Sequence, residues 1–492
     1  MSKKVRVRFA PSPTGHLHIG GARSALFNYL FARHHGGDFI VRIEDTDRKR
    51  NVESAEEKLI ESLRWFGTEW DEGIDKDGGV GPYRCMDRLD IYTKYLNQLV
   101  EEGKAYPCYC NEDELTAERE AMVEKGETPH YSGKCRHLTP EQIEAYKAEG
   151  RPSSIRFHVP ADHEYVVRDR IRGVVTFDSN GMGDFVIARP DGIPTYNFAV
   201  AVDDHLMGIT HVIRGEEHLS NTPRQLAVYE AFGFETPEFA HVALILNPNH
   251  KKMSKRDESI IQFMEQYRHL GYLPEALMNF LVLLGWSPEG EEEIFTKEQM
   301  IEQFSLERVS KSPSVFDIHK LNWMNNHYIK QTPTSRMVEL CIPHMQQAGQ
   351  LPEEITAEQR EWVERLVALH QEKLNYAAEI VEYAALFFTE EVSYNEEAKE
   401  VLSGEQVLDV MNAFLNEIMA AEDYSADAVK AALKAVQKTT GQKGKNLFMP
   451  VRVATTGLMH GSDLNESLYL LGRDKVAARV RNLTENYDSI TN

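Results

Sequence analysis

The N-terminal region alternates apolar and basic side chains before the chain turns. Val5, Val7 and Phe9 are separated by Arg6 and Arg8, which is the period of a β-strand. A run rich in proline, glycine and histidine follows, and apolar residues then recur at helical spacing at Ala22, Ala25, Leu26, Tyr29 and Leu30. The pattern predicts a strand, a tight loop and a helix. The unpaired N–H groups at the start of such a helix form a place for phosphates.

A second apolar stretch, residues 39–43, predicts another strand that ends in the acidic residues 44–47. Carboxylates at the carboxyl end of a buried strand are where an open α/β sheet places ligand contacts. The alternative is that these acids cap a helix and are solvated. Ser54 and Glu57 form a capping-box pattern, which predicts the start of the next helix.

The run 196–205 is apolar up to Asp203, Asp204 and His205, and we interpret it as a strand that re-enters the fold. Adjacent residues on a strand point to opposite faces, so these three side chains are not expected to share a metal ion.

Two short pairs of metal-ligand residues, Cys108 with Cys110 and Cys135 with His137, are separated by 24 residues. Four soft or borderline ligands are what tetrahedral zinc requires. Glu, Lys and Gly fill the intervening segment, so there is little core to bury reduced thiols, which is the alternative interpretation. The spacing predicts a closed, structural zinc site that holds a small insertion together.

Composition adds limits on the class of protein. A chain of 492 residues is too long for one core and should divide into several domains. Five cysteines, an odd number, argue against a disulfide framework. With a net charge of −22, a nucleic-acid partner would need the basic residues gathered on one face. No signal-peptide core follows Met1, and the apolar run 276–286 is too short to span a bilayer, so we expect a cytoplasmic protein without membrane contact.

Two motifs carry a resemblance to a known family. The run from Pro11 to Arg23, PSPTGHLHIGGAR, resembles the first nucleotide-binding motif of class I aminoacyl-tRNA synthetases, in the form used by glutamyl- and glutaminyl-tRNA synthetases. The run from Lys252 to Arg256, KMSKR, resembles the second motif of that class. The chain departs from many class I enzymes at Gly21, where they carry a second histidine. Glutamyl-tRNA synthetases commonly lack this second histidine, so we interpret Gly21 as typical of that subgroup and expect His18 alone to fill the role of the two histidines.

The resemblance extends over essentially the whole chain and implies a multidomain α/β fold. Beyond about residue 322 the sequence is rich in helix signals, which favours glutamyl enzymes of bacterial type over glutaminyl enzymes, since the latter end in β-barrels. The implied parts are a Rossmann-type catalytic domain at 1–107 and 188–245, an acceptor-stem-binding insertion with the zinc site at 108–187, a stem-contact domain with the KMSKR loop at 246–322, and an all-helical anticodon-binding region of two subdomains at 323–492.

The resemblance also implies which residues act. His18, Lys252 and Lys255 are expected to stabilise the charge of the transition state. The residues implied for ATP are Pro11, Ser12, Gly15, His18, Gly20, Gly21, Lys252, Met253, Ser254, Lys255 and Arg256. Those implied for the amino acid are Arg8, Ser12, Glu44, Tyr196 and Arg214. Arginine forks suit the two carboxylates of glutamate. The residues alone leave open which arginine binds the side-chain carboxylate, and the resemblance favours Arg8.

The implied activity is ATP-dependent ligation of L-glutamate to the 3′ end of tRNA(Glu) through a glutamyl-adenylate, by a monomer that uses ATP, Mg²⁺ and structural Zn²⁺. Two alternatives are a relative that glutamylates a modified tRNA base and a non-catalytic tRNA-binding protein. The first class lacks an anticodon-binding half, and the second should have lost His18 or Lys255. Charging of tRNA(Gln) stays open, because Lys373 falls near the position of an arginine associated with its rejection. The need for bound tRNA during activation also stays open.

Overall fold

The computed structural model describes residues 3–127, 129–253 and 261–491. The chain divides into an N-terminal unit, Met1–Arg268 with Pro274–Leu321, and a C-terminal unit, His269–Leu273 with Asn322–Asn492. Over the described residues, strands occur in the N-terminal unit, whereas the C-terminal unit consists of helices and their connections.

The strands, in chain order, are β1 (Arg6–Phe9), β2 (Asp38–Val41), β3 (Ala105–Cys108), β4 (Ser154–Phe157), β5 (Glu164–Asp169), β6 (Gly173–Asp178), β7 (Phe185–Ala188), β8 (His211–Gly215), β9 (Glu238–Val242), β10 (Ile245–Leu246) and β11 (Ser314–Val315). The helices are α1 (Ile19–His34), α2 (Ala55–Phe66), α3 (Leu89–Glu101), α4 (Glu112–Glu124), α5 (Pro140–Ala148), α6 (Tyr196–Leu206), α7 (Thr222–Phe232), α8 (Met264–Leu270), α9 (Pro274–Leu283), α10 (Lys297–Gln303), α11 (Ile318–Gln331), α12 (Thr334–Gln347), α13 (Ala357–His370), α14 (Ile380–Phe388), α15 (Glu396–Leu402), α16 (Val407–Ala420), α17 (Ala426–Thr440), α18 (Lys445–Thr456), α19 (Leu464–Leu471), α20 (Arg473–Glu485) and α21 (Tyr487–Thr491).

Parallel strands build the centre of the N-terminal unit. β1 pairs with β2, and β8 pairs with β9, in both cases in parallel. The Thr210 N–H just before β8 donates to the Arg6 carbonyl of β1 at 2.9 Å, which places the two pairs side by side. α1 is buried on nearly all sides between these strands and later helices, because its residues from Ala22 to Ala32 are apolar with few exceptions.

The predicted insertion contains two different arrangements. β3, β4 and β7 form an antiparallel sheet, and the helices α4 and α5 beside it bury no residue. The hairpin of β5 and β6 instead extends the sheet of β9 and β8, in the order β6-β5-β9-β8. The strand β5 therefore brings residues of the predicted insertion into the same sheet as β8, which carries Arg214, one of the residues predicted to bind the amino acid.

One local prediction is wrong, and a second is right for the start of the helix but not for the capping hydrogen bond. Residues 196–206 form the helix α6 and not a strand, and Asp203 and Asp204 are both buried. The five consecutive apolar residues that precede them suited a buried strand and a buried helix equally well. Ser54 is the N-cap of α2 but has φ +60°, and its side chain makes no capping hydrogen bond, because capping needs an extended backbone there.

The C-terminal unit is held together by helix packing. α12 packs on α13, and α16 packs on α17 and α20. The buried apolar side chains of these helices include Met337, Val363, Leu366, Met411, Phe414 and Val480. Among the described residues, no helix combines the length and apolar character that crossing a membrane requires.

Candidate active site

One cavity of the N-terminal unit, about 510 Å³ in volume, lies at the carboxyl ends of β1, β2 and β8. This volume is in the range of small-molecule sites. Lys252 and Met253 are described but are not among its lining residues, and Ser254, Lys255 and Arg256 lie outside the described residues. The predicted residues that line the cavity are Arg8, Pro11, Ser12, Gly15, His18, Gly20, Gly21, Glu44, Tyr196 and Arg214.

The loop between β1 and α1 leaves a backbone donor for a ligand. Gly15 has φ +130°, a conformation that side-chain-bearing residues rarely adopt. At the start of α1, the Ile19 N–H donates to the Gln262 carbonyl and the Gly20 N–H to Nδ1 of His18. The Gly21 N–H has no partner among the described residues. A Cβ at Gly21 would lie 3.1 Å from the Leu17 side chain, so glycine also suits the packing there.

The hydrogen bonds of His18 fix its tautomer. Its Nδ1 accepts from the Gly20 N–H at 3.1 Å and therefore carries no proton. Nε2 then holds the proton and donates to Oε1 of Gln262 at 3.0 Å. The edge of the Phe263 ring packs against the imidazole, with centroids 5.9 Å apart. The N–H of His18, a residue that lines the cavity, is thus fixed in orientation and engaged by Gln262.

Arg8 is a buried arginine with a buried carboxylate partner. Its Nε lies 3.1 Å from both carboxylate oxygens of Asp204. Asp204 also accepts from Nη1 of Arg42 at 2.9 Å. Within the described part of the chain Asp204 engages only Nε of Arg8, so the two terminal nitrogens of this guanidinium are left for a ligand in the cavity.

Glu44 lies at the same end of the cavity and is already engaged by one arginine. Its Oε1 accepts from Nε and Nη2 of Arg42 at 3.0 and 2.9 Å. Its Oε2 accepts from the Cys85 thiol at 3.2 Å. Burial raises the pKa of Glu44, while the charge of Arg42 acts in the opposite direction. A carboxylate has about four acceptor positions, so Glu44 keeps capacity for one more donor.

A third buried acid, Asp203, lies next to Arg42 and joins the same set of charges. Asp203 accepts from Nε of Arg88 at 2.7 Å and from the Tyr92 hydroxyl at 2.6 Å. Its side chain is fully buried, and so is that of Arg42, 3.8 Å away. We call Arg8, Arg42, Arg88, Glu44, Asp203 and Asp204 the buried ion cluster.

Arg214 differs from Arg8 because all its direct partners among the described residues are neutral. Its Nη2 donates to the Thr222 hydroxyl at 2.9 Å and to Oε1 of Gln225 at 2.8 Å, and its Nε donates to Nε2 of His241 at 3.1 Å. Burial lowers the pKa of Arg214, and the nearby charge of Arg8 lowers it further. A guanidinium in this setting favours an incoming anion.

Tyr196 and His218 close the same part of the cavity. The Tyr196 hydroxyl lies 3.4 Å from Nη1 of Arg214 and 3.3 Å from Nδ1 of His218. Burial, together with the charges of Arg214 and Arg8, lowers the pKa of His218 to about 3. His218 is therefore a neutral neighbour, and it adds no positive charge of its own.

The cysteines of the insertion come together. The Sγ atoms of Cys108, Cys110 and Cys135 lie within 4.8 Å of one another, with Cys110 and Cys135 3.4 Å apart. His137 is exposed and is not a member of this group. Three of the four predicted zinc ligands thus form a cluster.

Tyr131 contributes an oxygen to this cluster, which the cysteine and histidine spacing did not reveal. Its hydroxyl lies 3.5 Å from Sγ of Cys108 and 3.4 Å from Sγ of Cys110, and it accepts from the Cys135 N–H at 3.0 Å. In tetrahedral zinc with ordinary Zn–S and Zn–O bonds, sulfur and oxygen ligands are about 3.5 Å apart. The S₃O donor set therefore fits zinc.

Arg156 supplies positive charge beside the cysteines. Its Nε donates to Sγ of Cys108 at 3.2 Å, and its guanidinium lies 3.9 Å from the centre of the Tyr131 ring. Arg156 is buried, and across the described part of the chain no carboxylate lies within ion-pair distance of it. Thiolates in the cluster would supply the missing counter-charge.

Comparison with known proteins identifies the family. Residues 4–323 match the model of "tRNA synthetases class I (E and Q), catalytic domain", and residues 336–484 match that of an anticodon binding domain. The glutamate–tRNA ligase of Halalkalibacterium halodurans is 61% identical over 98% of this chain and 100% of its own length. The chain belongs to the class I glutamate–tRNA ligases.

Further relatives agree with this assignment. The glutamate–tRNA ligase of Bacillus subtilis is 56% identical to the enzyme over 98% of the chain and 100% of its own length. A crystal structure of a glutamate tRNA ligase from Elizabethkingia meningosepticum, solved in complex with its amino acid, is 34% identical. It covers 98% of this chain and 99% of its own, with a TM-score of 0.87. The predicted family, and the fold class of a catalytic α/β part followed by a helical anticodon-binding part, are confirmed.

Proposed function

We propose that the enzyme activates L-glutamate with ATP in the cavity described above and transfers it to the 3′ end of tRNA(Glu). The observation that carries this proposal is that one cavity is lined by two buried guanidinium groups, Arg8 and Arg214, and by His18 at the N-terminus of α1. The guanidinium groups suit a dicarboxylic amino acid, and the helix N-terminus suits phosphates. The comparisons give no support to transfer onto a modified base or to a non-catalytic role.

At the amino-acid end, we assign a substrate carboxylate to the space between Arg8 and Arg214. Asp204 holds Nε of Arg8 and leaves its terminal nitrogens, whereas Arg214 has neutral partners only. A carboxylate between the two guanidinium groups would offset their repulsion. This refines the expectation that Arg8 binds the side-chain carboxylate of glutamate with Arg214 nearby. Glu44, with Tyr196 nearby, is the group we assign to the substrate ammonium.

At the other end, we assign the phosphates of ATP to residues 11–15, His18 and the Gly21 N–H. A carboxylate oxygen of glutamate forms a bond to the α-phosphorus while the bond to pyrophosphate breaks, which leaves glutamyl-adenylate. In the proposed reaction the Nε2–H of His18 leaves Gln262, which it contacts in this structure, and donates to the developing phosphate charge, while Gly20 and Gly21 give the phosphates access to the backbone. Mg²⁺, brought with ATP, would neutralise phosphate charge. Lys252 and Lys255 of the KMSKR loop remain the proposed cations for pyrophosphate.

The tRNA contacts are proposed for the remaining parts of the chain, with the domain boundaries predicted above. In the C-terminal region the candidates for tRNA contact are Lys443, which precedes α18, Lys445, which begins it, and Lys373. Lys373 Nζ donates to the Ser462 hydroxyl at 2.8 Å. We propose that a monomer carries out the reaction, and that it works in the cytoplasm because its product is consumed by ribosomes.

The test of this function is aminoacylation of purified tRNA(Glu) and tRNA(Gln), each with labelled glutamate and labelled glutamine. We expect glutamate on tRNA(Glu) and no glutamine on either. Glutamate on both tRNAs would show that the anticodon-binding region tolerates either anticodon. Charging with glutamine instead would contradict the roles given to Arg8 and Arg214.

For the metal, we propose that Cys108, Cys110, Cys135 and Tyr131 hold a structural zinc ion, with His137 outside the ligand set. The exposed position of His137 and the contacts of Tyr131 with two sulfurs support this choice. α4 and α5 bury no residues, so this part of the insertion has little core of its own. Bound zinc would supply the cross-link that ordinary packing supplies elsewhere.

The zinc site yields a prediction with a matched pair of variants. Tyr131→Phe keeps the ring and removes the oxygen, so we expect the affinity for zinc to fall by at least about tenfold, whereas His137→Ala should keep one tightly held zinc per chain. The measurements are zinc content after dialysis against a chelator and the absorption spectrum of the Co²⁺-substituted protein. Loss of zinc from His137→Ala, with Tyr131→Phe unaffected, would restore the original four-ligand prediction.

A further inference from the structure

Three polar side chains form a row across three neighbouring strands under the cavity. Asp169 ends β5, His241 lies on β9 and Arg214 lies on β8, where it is the direct register partner of His241. The side chains of Asp169 and His241 are fully buried. The Asp169–His241 pair does not touch the cavity, since only Arg214 of the three lines it.

The chemistry of arginine fixes the protonation of the row. Every guanidinium nitrogen is a donor, so Nε2 of His241, 3.1 Å from Nε of Arg214, must be an unprotonated acceptor. The imidazole proton is then on Nδ1, which donates to Oδ2 of Asp169 at 2.6 Å. His241 is thus a neutral ring between a carboxylate and a guanidinium.

Asp169 is held in turn by the backbone. Its Oδ1 accepts from the N–H groups of Ile171 and Arg172 at 2.9 and 2.7 Å, and its Oδ2 accepts from the His241 N–H at 3.0 Å. With its carboxylate fixed at both oxygens, Asp169 leaves the His241 ring one orientation. That orientation points Nε2 at Arg214.

We propose that Asp169 and His241 are positioning residues that set the orientation of Arg214 and, through it, the selectivity of the enzyme for an anionic amino acid. A carboxylate in direct contact with Arg214 would occupy the guanidinium and neutralise it. A carboxylate one imidazole away stabilises the buried positive charge and still leaves Nη1 for the substrate. This inference rests on the amino-acid pocket proposed above.

The experiment compares His241→Leu and His241→Gln with wild type, using tRNA-dependent ATP–pyrophosphate exchange at varied glutamate, glutamine and ATP. Leucine removes the acceptor, whereas glutamine keeps an oxygen near the position of Nε2. His211→Leu is the control, since His211 is a partly buried histidine at the opposite end of β8 and does not line this cavity. Arg214→Leu serves as the reference for loss of the pocket itself.

We expect His241→Leu to raise KM for glutamate at least about tenfold, the scale for one lost hydrogen bond to a buried charged group, and to narrow the preference for glutamate over glutamine. The KM for ATP should change less than about threefold, and the KM for glutamate of His241→Gln should be close to that of wild type. An unchanged KM for glutamate, or an equal loss of kcat with both amino acids, would overturn the proposal. An unchanged KM in Arg214→Leu would instead refute the pocket.

If His241→Leu yields no folded protein, the decision falls to His241→Gln. A KM for glutamate close to wild type in this variant, with Asp169→Asn raising that KM while the KM for ATP stays constant, would support the positioning role. A glutamine variant that loses activity with unchanged KM values would reject it.

Discussion

Replacing Arg214 by leucine is expected to lower kcat/KM for glutamate by about 10²- to 10³-fold. Truncating one partner of a buried charge pair costs roughly 2–5 kcal/mol, and each 1.4 kcal/mol is a factor of ten. The apolar replacement would leave Thr222, Gln225 and His241 without the donor that joins them. Glutamine has no charge on its side chain and should lose less, so the ratio of the two kcat/KM values should fall at least about tenfold.

The measurement is tRNA-dependent ATP–pyrophosphate exchange with each amino acid at saturating ATP. Arg224→Leu is the matched control, because Arg224 is an arginine of the nearby helix α7 that does not line the cavity. It should leave the ratio of glutamate to glutamine within about twofold of wild type. Equal losses with glutamate and glutamine in Arg214→Leu would contradict the role of this guanidinium in recognising a carboxylate.

The parts of this site that lie close together in sequence are the parts that the sequence predicted. The strand, loop and helix from Val5 to His34 are present as β1 and α1, and ten predicted residues line one cavity. Local periodicity, glycine at a positive φ and a helix N-terminus depend on neighbouring residues, so they can be read from a short stretch. The resemblance then linked these stretches across the chain.

The groups that orient the predicted residues could not be predicted from the sequence, because they are distant from those residues along the chain. Asp204 meets Arg8 from 196 positions away, and Asp169 meets His241 from 72 positions away. The only signal of Asp204 and His241 is an acid or a histidine beside apolar residues, and Asp169 lies between Arg168 and Arg170, where it resembles an ordinary surface charge. For Asp203 and Asp204 that signal is visible, but the pattern around it indicates the wrong secondary structure. An apolar run lacks the alternation that separates a strand from a helix.

The zinc cluster shows the same limit in a different form. Cysteine and histidine spacing predicted four zinc ligands, because those residue types are frequent zinc ligands, and the structure brings the three cysteines together. Tyr131, which we propose as the fourth ligand, precedes Cys135 by one helical turn's length of chain, yet tyrosine is a rare ligand and its many structural uses hide the signal. Only the contacts of its hydroxyl with two sulfurs reveal it.

The buried ion cluster leads to the second large effect, on stability. Asp203→Asn keeps the shape of the side chain and removes its charge, which leaves Arg88 and Arg42 with one carboxylate fewer in a fully buried place. Breaking a buried pair in this way costs roughly 3–5 kcal/mol. We therefore expect the free energy of opening of α3 and α6 to fall by about this amount.

Hydrogen–deuterium exchange with mass spectrometry measures that free energy segment by segment, and peptides from the C-terminal unit serve as an internal reference. Glu61→Gln is the control, because Glu61 forms an exposed ion pair with Arg268 and should cost less than about 1 kcal/mol. Unchanged protection of α6 in Asp203→Asn would contradict the cluster as a source of stability. A loss confined to α3 and α6 would mean that the buried ion cluster stabilises the helices next to the proposed amino-acid pocket.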